Sequence, residues 1–408
     1  MKFYPNTATA VITILEKVFI EKSYADKVIE HVLKNNTKWG SRDRKFVAEC
    51  AYDIIRWKRL MEAIIQKRAE DKEGFWELFG AWCFLNRYPI PDWEPLRKLN
   101  PDKMNLAYTR ASKEFKTRES IPDWMDQLGR AELKDRWEPE LEAMNTKAEV
   151  VIRVNTLKIA RAALQKELQA QDVQTTTIHG FPDALVLERR QNIFRLPQFK
   201  SGYFEMQDAA SQAVSRFLDI QPGMRVIDAC AGSGGKSLHL AALLQNKGRV
   251  ISLDLEKWKL DELKKRAARG GATNIETKVI ESSKTIKRLA ESADRLLLDV
   301  PCSGMGVLRR NPDAKWKLSE AFIEQVKTAQ HEILSKYCEM LKPGGLMVYS
   351  TCSLLPSENR AQIDRFLEAN SGNYTLVKDQ NLWPSQGFDG FYMALIQKGT
   401  ASKHPKAW

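Results

Sequence analysis

Arg225-Val226-Ile227-Asp228-Ala229-Cys230-Ala231-Gly232-Ser233-Gly234-Gly235-Lys236 decides the fold class. A short apolar run with an acidic end passes straight into a glycine-rich turn, and a helical pattern follows over 236–244. Strand, unencumbered turn and helix open an α/β unit, where a ligand can approach the backbone at the strand's carboxyl end. The alternation continues downstream. Strands are expected over 225–229, 249–253, 275–280, 295–299 and 346–350, and helices over 257–269, 319–341 and 357–369. Lys342-Pro343-Gly344-Gly345 is expected to break the long helix. Two last strands, 374–377 and 390–396, are expected to run antiparallel. The expectation is an α/β, Rossmann-like domain over 206–400 with a mostly parallel seven-stranded sheet.

The rest of the chain is organised differently. At 408 residues it has room for two or three domains. The first part, 1–130, reads as all-α: Val11, Ile14, Leu15 and Val18 recur at helical spacing. A second helix follows Ser41, a candidate N-cap, with Phe46, Cys50 and Ile54 on one stripe. Trp39, Trp57, Trp76, Trp82, Trp93, Trp124 and Trp137 are expected to pack these helices together, with base stacking as the alternative for any that are exposed. Over 131–205 the pattern becomes a small α+β unit, with strands near 150–154, 173–178 and 184–187 and a helix over 160–168. Residues 401–408 read as a tail.

The formal charge of +12 favours a polyanionic partner, because phosphates attract a basic surface and release counterions on binding. The six cysteines show no C-x-x-C pair and the histidines no H-x-x-x-H spacing, so no disulfide framework and no metal site are expected. Cys50, Cys83, Cys230 and Cys338 read as small buried hydrophobes. No run approaches the ~20 apolar residues that span a bilayer, and the N-terminus lacks a signal-peptide pattern. A cytoplasmic monomer without membrane contact is the expectation.

The glycine turn lacks the G-x-G-x-x-G fingerprint of a dinucleotide site. It is paired with Asp254, at the end of the second strand, where a carboxylate can accept both hydroxyls of a ribose. Glycine turn, ribose acid and no phosphate fingerprint point to an adenosyl ligand without phosphates, S-adenosylmethionine. The alternative for Asp254 is a cap on the helix that begins near Glu256.

Two further strand ends carry thiols: Leu298-Asp299-Val300-Pro301-Cys302-Ser303-Gly304 and Tyr349-Ser350-Thr351-Cys352-Ser353. A thiolate at a ligand-facing strand end suggests covalent chemistry. These segments, with 228–237, resemble the three hallmark motifs of the RNA cytosine-5 methyltransferases of the RsmB/Sun type. The likeness continues in Val307-Leu308-Arg309-Arg310-Asn311-Pro312-Asp313-Ala314-Lys315-Trp316, in Gln330-His331-Glu332-Ile333-Leu334 and in Pro356-Ser357-Glu358-Asn359. Upstream it includes Arg153-Val154-Asn155-Thr156 and Gln207-Asp208-Ala209-Ala210-Ser211, so that it covers roughly 120–397. The helical N-terminal part, about 1–130 and especially Arg42-Asp43-Arg44-Lys45-Phe46-Val47, is similar to the NusB-like RNA-binding domain of bacterial rRNA enzymes.

The resemblance implies methyl transfer from S-adenosylmethionine to C5 of a cytidine in RNA, with small-subunit (16S) rRNA favoured over tRNA. It implies that Cys352 adds to C6, that Cys302 assists release, and that Asp299 meets the cytosine edge with Lys236 steadying it. It places the cofactor on Cys230, Ala231, Gly232, Ser233, Gly234, Gly235, Lys236, Asp254 and Asp299. Where the family usually has an adenine-contacting aspartate, this chain reads Val279-Ile280-Glu281-Ser282-Ser283-Lys284, leaving Glu281 or Ser283 as replacements. Gly232-Ser233 stands where alanine-proline is usual, and Ser237 where threonine is. Arg309, Arg310, Lys315 and Lys317 are expected to clamp RNA phosphates, and Trp316 either to stack on a base or to anchor its loop. Competing functions are a DNA cytosine-5 methyltransferase, an amino-methylating enzyme and a non-catalytic RNA-binding or ribosome-assembly factor.

Overall fold

The computed structural model describes residues 3–400; the expected tail lies outside the described residues. The chain forms two compact units, Met1–Thr146 with Leu308–Glu320, and Lys147–Val307 with Ala321–Trp408. No helix among the described residues is long and apolar enough to cross a membrane.

The first unit is helical, and its first helix, Pro5–Phe19, buries the expected stripe of Val11, Ile14, Leu15 and Val18. Ser41–Arg56 does the same with Phe46, Cys50 and Ile54, but Gly40 is its cap and Ser41 its first residue. Trp82 and Trp137 are buried, and Trp39, Trp57, Trp76 and Trp93 pack against the same core, so the tryptophans build the unit. Helices continue past residue 130, through Asp123–Leu133 and Trp137–Met144. The cause is Trp137, fully buried with its indole N–H donating to Asp126 at 2.9 Å, which holds the two helices as a pair. The first compact unit therefore runs on to Thr146.

Leu308–Glu320 belongs to this helical unit, and here the phosphate-clamp expectation fails for Lys315 and Lys317. Lys315 is fully buried; its ammonium donates to Asn145 Oδ1 at 2.7 Å and faces the carbonyls of Arg56, Ser120 and Glu119. Lys317 is taken up by Asp313 at 2.6 Å and the Ser23 carbonyl at 2.8 Å. Arg309 is buried and Arg310 half-buried. Trp316 anchors the segment, its indole N–H donating to the Ile55 carbonyl at 2.7 Å. A sequence pattern cannot separate a basic loop that meets solvent from one whose cations satisfy buried carbonyls.

The second unit begins with a four-stranded antiparallel sheet of β1 (Val151–Val154), β2 (Thr175–Ile178), β3 (Phe181–Leu187) and β4 (Phe204–Met206) in the order β2-β3-β1-β4. The main sheet follows: β5 (Arg225–Asp228), β6 (Arg249–Asp254), β7 (Ile275–Val279), β8 (Ala293–Asp299), β9 (Leu341–Thr351), β10 (Tyr374–Leu382) and β11 (Phe391–Lys398). Its order is β10-β11-β9-β8-β5-β6-β7, with β11 antiparallel to β9 and to β10 and the other pairs parallel. Leu296, Leu297 and Leu298 of β8 are all inaccessible, as a strand covered on both faces requires.

Two details differ from expectation. The helix Glu320–Tyr337 ends sooner, and β9 absorbs Lys342-Pro343-Gly344-Gly345. Pairing jumps from Ala293–Leu341 to Arg295–Leu346, so those residues are looped out of the strand as a bulge. The edge strand β10 runs on to Leu382 because β11 pairs with it along its full length, past an irregularity near Val377 that amphipathic spacing does not reveal.

The sheet reverses direction of growth between β5 and β8: β6 and β7 lie to one side and β9 to the other. Open α/β sheets bind ligands beyond the strand ends at such a switch point. The glycine turn and the Cys302 loop leave the sheet there.

Candidate active site

A cleft of ≈ 330 Å³ lies at the carboxyl ends of β5, β6, β7 and β8. Of the residues expected to hold a cofactor, Cys230, Gly232, Asp254 and Asp299 form its walls. Cys230 is thus half-buried in a ligand-sized space rather than a core hydrophobe, while Cys50, Cys83 and Cys338 are buried. Burial keeps the Cys230 thiol well above its usual pKa.

The remaining turn residues act behind the wall. The Ser233 carbonyl and hydroxyl accept from Arg266, at 2.8 and 3.2 Å, and the Gly235 carbonyl accepts from buried Arg153 at 2.5 Å. Glu205 of β4 orients Arg266 at 2.9 Å, so the small antiparallel sheet braces the turn. Gly234 has φ +89°, and a Cβ there would lie 2.3 Å from Leu263. Ala231 is buried and its N–H donates to Leu253 O at 2.9 Å.

Asp254 serves the turn and the next helix together. One carboxylate oxygen accepts from the Gly232 N–H at 2.8 Å and the other from the Glu256 N–H at 2.9 Å. The group is oriented by two fixed amides and lines the cleft, and a carboxylate has acceptor capacity beyond those two bonds. The cleft is also lined by Leu255, Ile280, Pro301, Ile333 and Tyr337. Ile280 occupies the position after β7, whereas Glu281 and Ser283 are exposed and outside the wall.

Asp299 ends β8. Its carboxylate accepts from Lys236 Nζ at 2.6 Å and from Ser350 Oγ of β9 at 2.7 Å. Lys236 also lies over the Phe391 ring, 5.2 Å from its centre. Beneath the turn, buried Asp228 accepts from Ser237 at 2.7 Å, and Ser252 donates to Ser237 at 2.8 Å. Burial raises the Asp228 carboxyl to about 7. Ser237, in the place of a threonine, supplies the hydroxyl this relay uses.

The two loops after β8 and β9 bring Cys302 and Cys352 together, with the sulfur atoms 3.3 Å apart. Hydrogen bonding to Cys352, then burial, then nearby negative charge hold the Cys302 thiol well above its ordinary pKa. Cys302 therefore keeps its proton at neutral pH. Each cysteine is followed by a serine, and both Ser303 and Ser353 donate to the buried Glu358 carboxylate. Glu358 and its partner Gln330 had no assigned role in the sequence; the signal was the Cys-Ser pair repeated in both loops.

Residues 215–397 match the family model described as 16S rRNA methyltransferase RsmB/F, and 121–194 match the RsmF/B-like ferredoxin-like domain. The chain is 31% identical to a Synechocystis protein named "Probable ribosomal RNA small subunit methyltransferase B", over 92% of this chain and 90% of that one. It is 34% identical to the Vibrio cholerae ribosomal RNA small subunit methyltransferase B, over 68% of this chain and 65% of that one. Among solved structures, PH0851 superposes with a TM-score of 0.83 at 24% identity over 98% of this chain and all of that one (100%), a likeness of fold. A methyltransferase homologue from Pyrococcus horikoshii gives 0.62 at 28% identity, over 69% of this chain and 97% of that one.

Proposed function

Because the chain belongs to the RsmB/F family of ribosomal RNA methyltransferases, we propose that it methylates C5 of a cytidine in small-subunit rRNA, with S-adenosylmethionine as donor. The observation that carries this reading is the pair of thiols 3.3 Å apart at the ends of adjacent parallel strands, beside the cleft. One thiol suffices for most nucleophilic catalysis; two in contact suit a reaction that must both attach to and leave a ring.

The cleft fits the donor. Asp254 is oriented to accept ribose hydroxyls, and Ile280, Ile333 and Tyr337 offer apolar surface to an adenine. A Cβ at Gly232 would meet nothing within 4 Å, so a ligand can lie directly on the turn. S-adenosylmethionine, when bound, supplies an electrophilic methyl group.

Cytosine C5 is too weak a nucleophile unaided. Cys352 releases its proton to solvent and, as thiolate, adds to C6, and the C5–C6 π electrons become available at C5. Cys302 donates its hydrogen bond to that thiolate before addition. Asp299 accepts from the exocyclic amino group, and Lys236 and Ser350 hold its carboxylate in place. Once Cys352 is bonded to C6, the largest cause of Cys302's reluctance to ionise is gone. Cys302 then gives up its proton to solvent and takes the one on C5. The electrons of that C–H bond restore the double bond and expel Cys352. The target base must first be turned out of its stack. The helical first unit, NusB-like by resemblance, contributes RNA binding in this reading.

The test is transfer of labelled methyl to protein-free small-subunit rRNA and, in parallel, to unmodified tRNA, with Cys352→Ala as control. Label recovered as 5-methylcytidine in rRNA and lost in the variant is expected. Label in tRNA alone discards the ribosomal assignment, and RNA binding without label leaves a non-catalytic factor.

A further inference from the structure

We propose that Glu358 is a positioning residue: its buried carboxylate, clamped between the loops that follow β8 and β9, sets the separation and orientation of the Cys302 and Cys352 thiols. The inference rests on the reading above, that both thiols act on the target base.

Glu358 is inaccessible and lies six residues beyond Cys352. Each of its oxygens accepts two hydrogen bonds. Oε1 takes Ser303 Oγ and Ser353 Oγ, both at 2.5 Å, and Oε2 takes the Ser303 N–H at 2.8 Å and Gln330 Nε2 at 2.9 Å. Gln330 also donates to the Pro301 carbonyl at 3.0 Å. The carboxylate thus holds the residues on both sides of Cys302 and the residue after Cys352. Its own backbone is pinned from the sheet, since Tyr349 donates to the Glu358 carbonyl at 2.7 Å. Neighbouring Asn359 donates to the Ser353 carbonyl at 3.0 Å and accepts from Thr351 at 2.5 Å.

Stability alone does not account for this arrangement. A buried carboxylate must recover a large desolvation cost, and well-packed apolar groups commonly serve stability as well or better. What a four-coordinate anion adds is geometry: neither loop can shift without breaking a charge-assisted hydrogen bond. Its charge also faces Cys302 and disfavours a thiolate there. The residue does not touch substrate; it acts through the thiols.

Glu358→Gln keeps the shape and removes the charge; Ser353→Ala keeps the charge and unhooks one loop. Three readouts on the full chain separate positioning from mere stability. The first is the pH profile of iodoacetamide labelling, resolved for each cysteine by mass spectrometry. Cys302 labelling is expected to move to lower pH in Glu358→Gln. The second is the rate of Cys302–Cys352 disulfide formation with diamide, expected to fall in both variants at temperatures where they remain folded. The third is methyl transfer, where kcat is expected to fall about 100-fold with KM for RNA and donor unchanged. If Glu358→Gln does not fold, slowed diamide coupling in folded Ser353→Ala still supports the clamp, and unchanged coupling overturns it. Unchanged labelling and coupling in a folded Glu358→Gln overturn it too. The two thiol readouts need no RNA, so an enzyme without methyl transfer would refute the proposed function and leave the positioning result standing.

Discussion

Lys236 and Asp299 form an ion pair of 2.6 Å although one follows the glycine turn after β5 and the other ends β8. The switch point of the sheet brings them together, and Ser350 supplies a third contact from β9. Three strands thus fix one carboxylate between the cleft and the thiols. Lys236→Met removes the cation and keeps the length. It is expected to lower kcat/KM by about 100-fold at temperatures where the variant is folded, in line with loss of one preorganised charge contact. An unchanged kcat/KM would release Asp299 from the role given to it.

Donor binding is expected to depend on Asp254 and Ile280. Asp254→Asn loses a charged acceptor for ribose and is expected to weaken S-adenosylmethionine about 10-fold or more, as loss of a charged hydrogen bond predicts. Ile280→Asp is expected to weaken it as well. Glu281→Ala and Ser283→Ala are expected to leave titration calorimetry unchanged, because neither side chain reaches the cleft. A rise in Kd for Glu281→Ala would restore it as the adenine-side acid.

Lys315 separates a structural from an RNA-binding role. Lys315→Ala leaves Asn145 Oδ1 and three buried carbonyls without their donor, and a buried acceptor left unsatisfied costs about 1–3 kcal/mol, so the melting temperature of the variant is expected to fall sharply. A phosphate clamp predicts something else: a salt slope of RNA binding reduced by about 1. At a temperature where the variant is folded, the slope is expected to match wild type.

Asp228 gives a pH dependence with a definite sign. Its carboxyl titrates near 7 in the folded protein against an ordinary value of 3.8. The folded state holds the proton more tightly, so the contribution to stability is fully present below 3.8 and is lost as pH rises to about 7. Wild type is expected to lose up to about 4 kcal/mol relative to Asp228→Asn across that window, and nothing more above it. Parallel stability–pH curves for the two proteins would contradict this.

Strand ends were the legible part of this chain. The runs before Asp228, Asp254, Asp299 and Cys352 are apolar and bounded by small residues, so period and turn chemistry place them on a parallel sheet. The pairing of Cys302 with Cys352 followed from their strand ends and the resemblance. What stayed illegible depends on partners distant in sequence. Glu358 looks like a surface acid until Ser303 and Gln330 are seen folded over it. Lys315 looks like a phosphate contact until the carbonyls of Arg56, Glu119 and Ser120 surround it. Charge in a sequence reports a group's chemistry and not the depth at which it sits.

The central claim is a covalent two-thiol reaction, and the RNA–protein adduct tests it most directly. Cys302→Ala and Cys352→Ala are each incubated with small-subunit rRNA and S-adenosylmethionine, then run on a denaturing gel. The account predicts that Cys302→Ala accumulates RNA-linked protein, because addition proceeds and release fails, and that Cys352→Ala forms none. Adduct from Cys352→Ala instead would reverse the two roles, and no adduct from Cys302→Ala, in a preparation whose wild type methylates the RNA, would contradict the covalent mechanism.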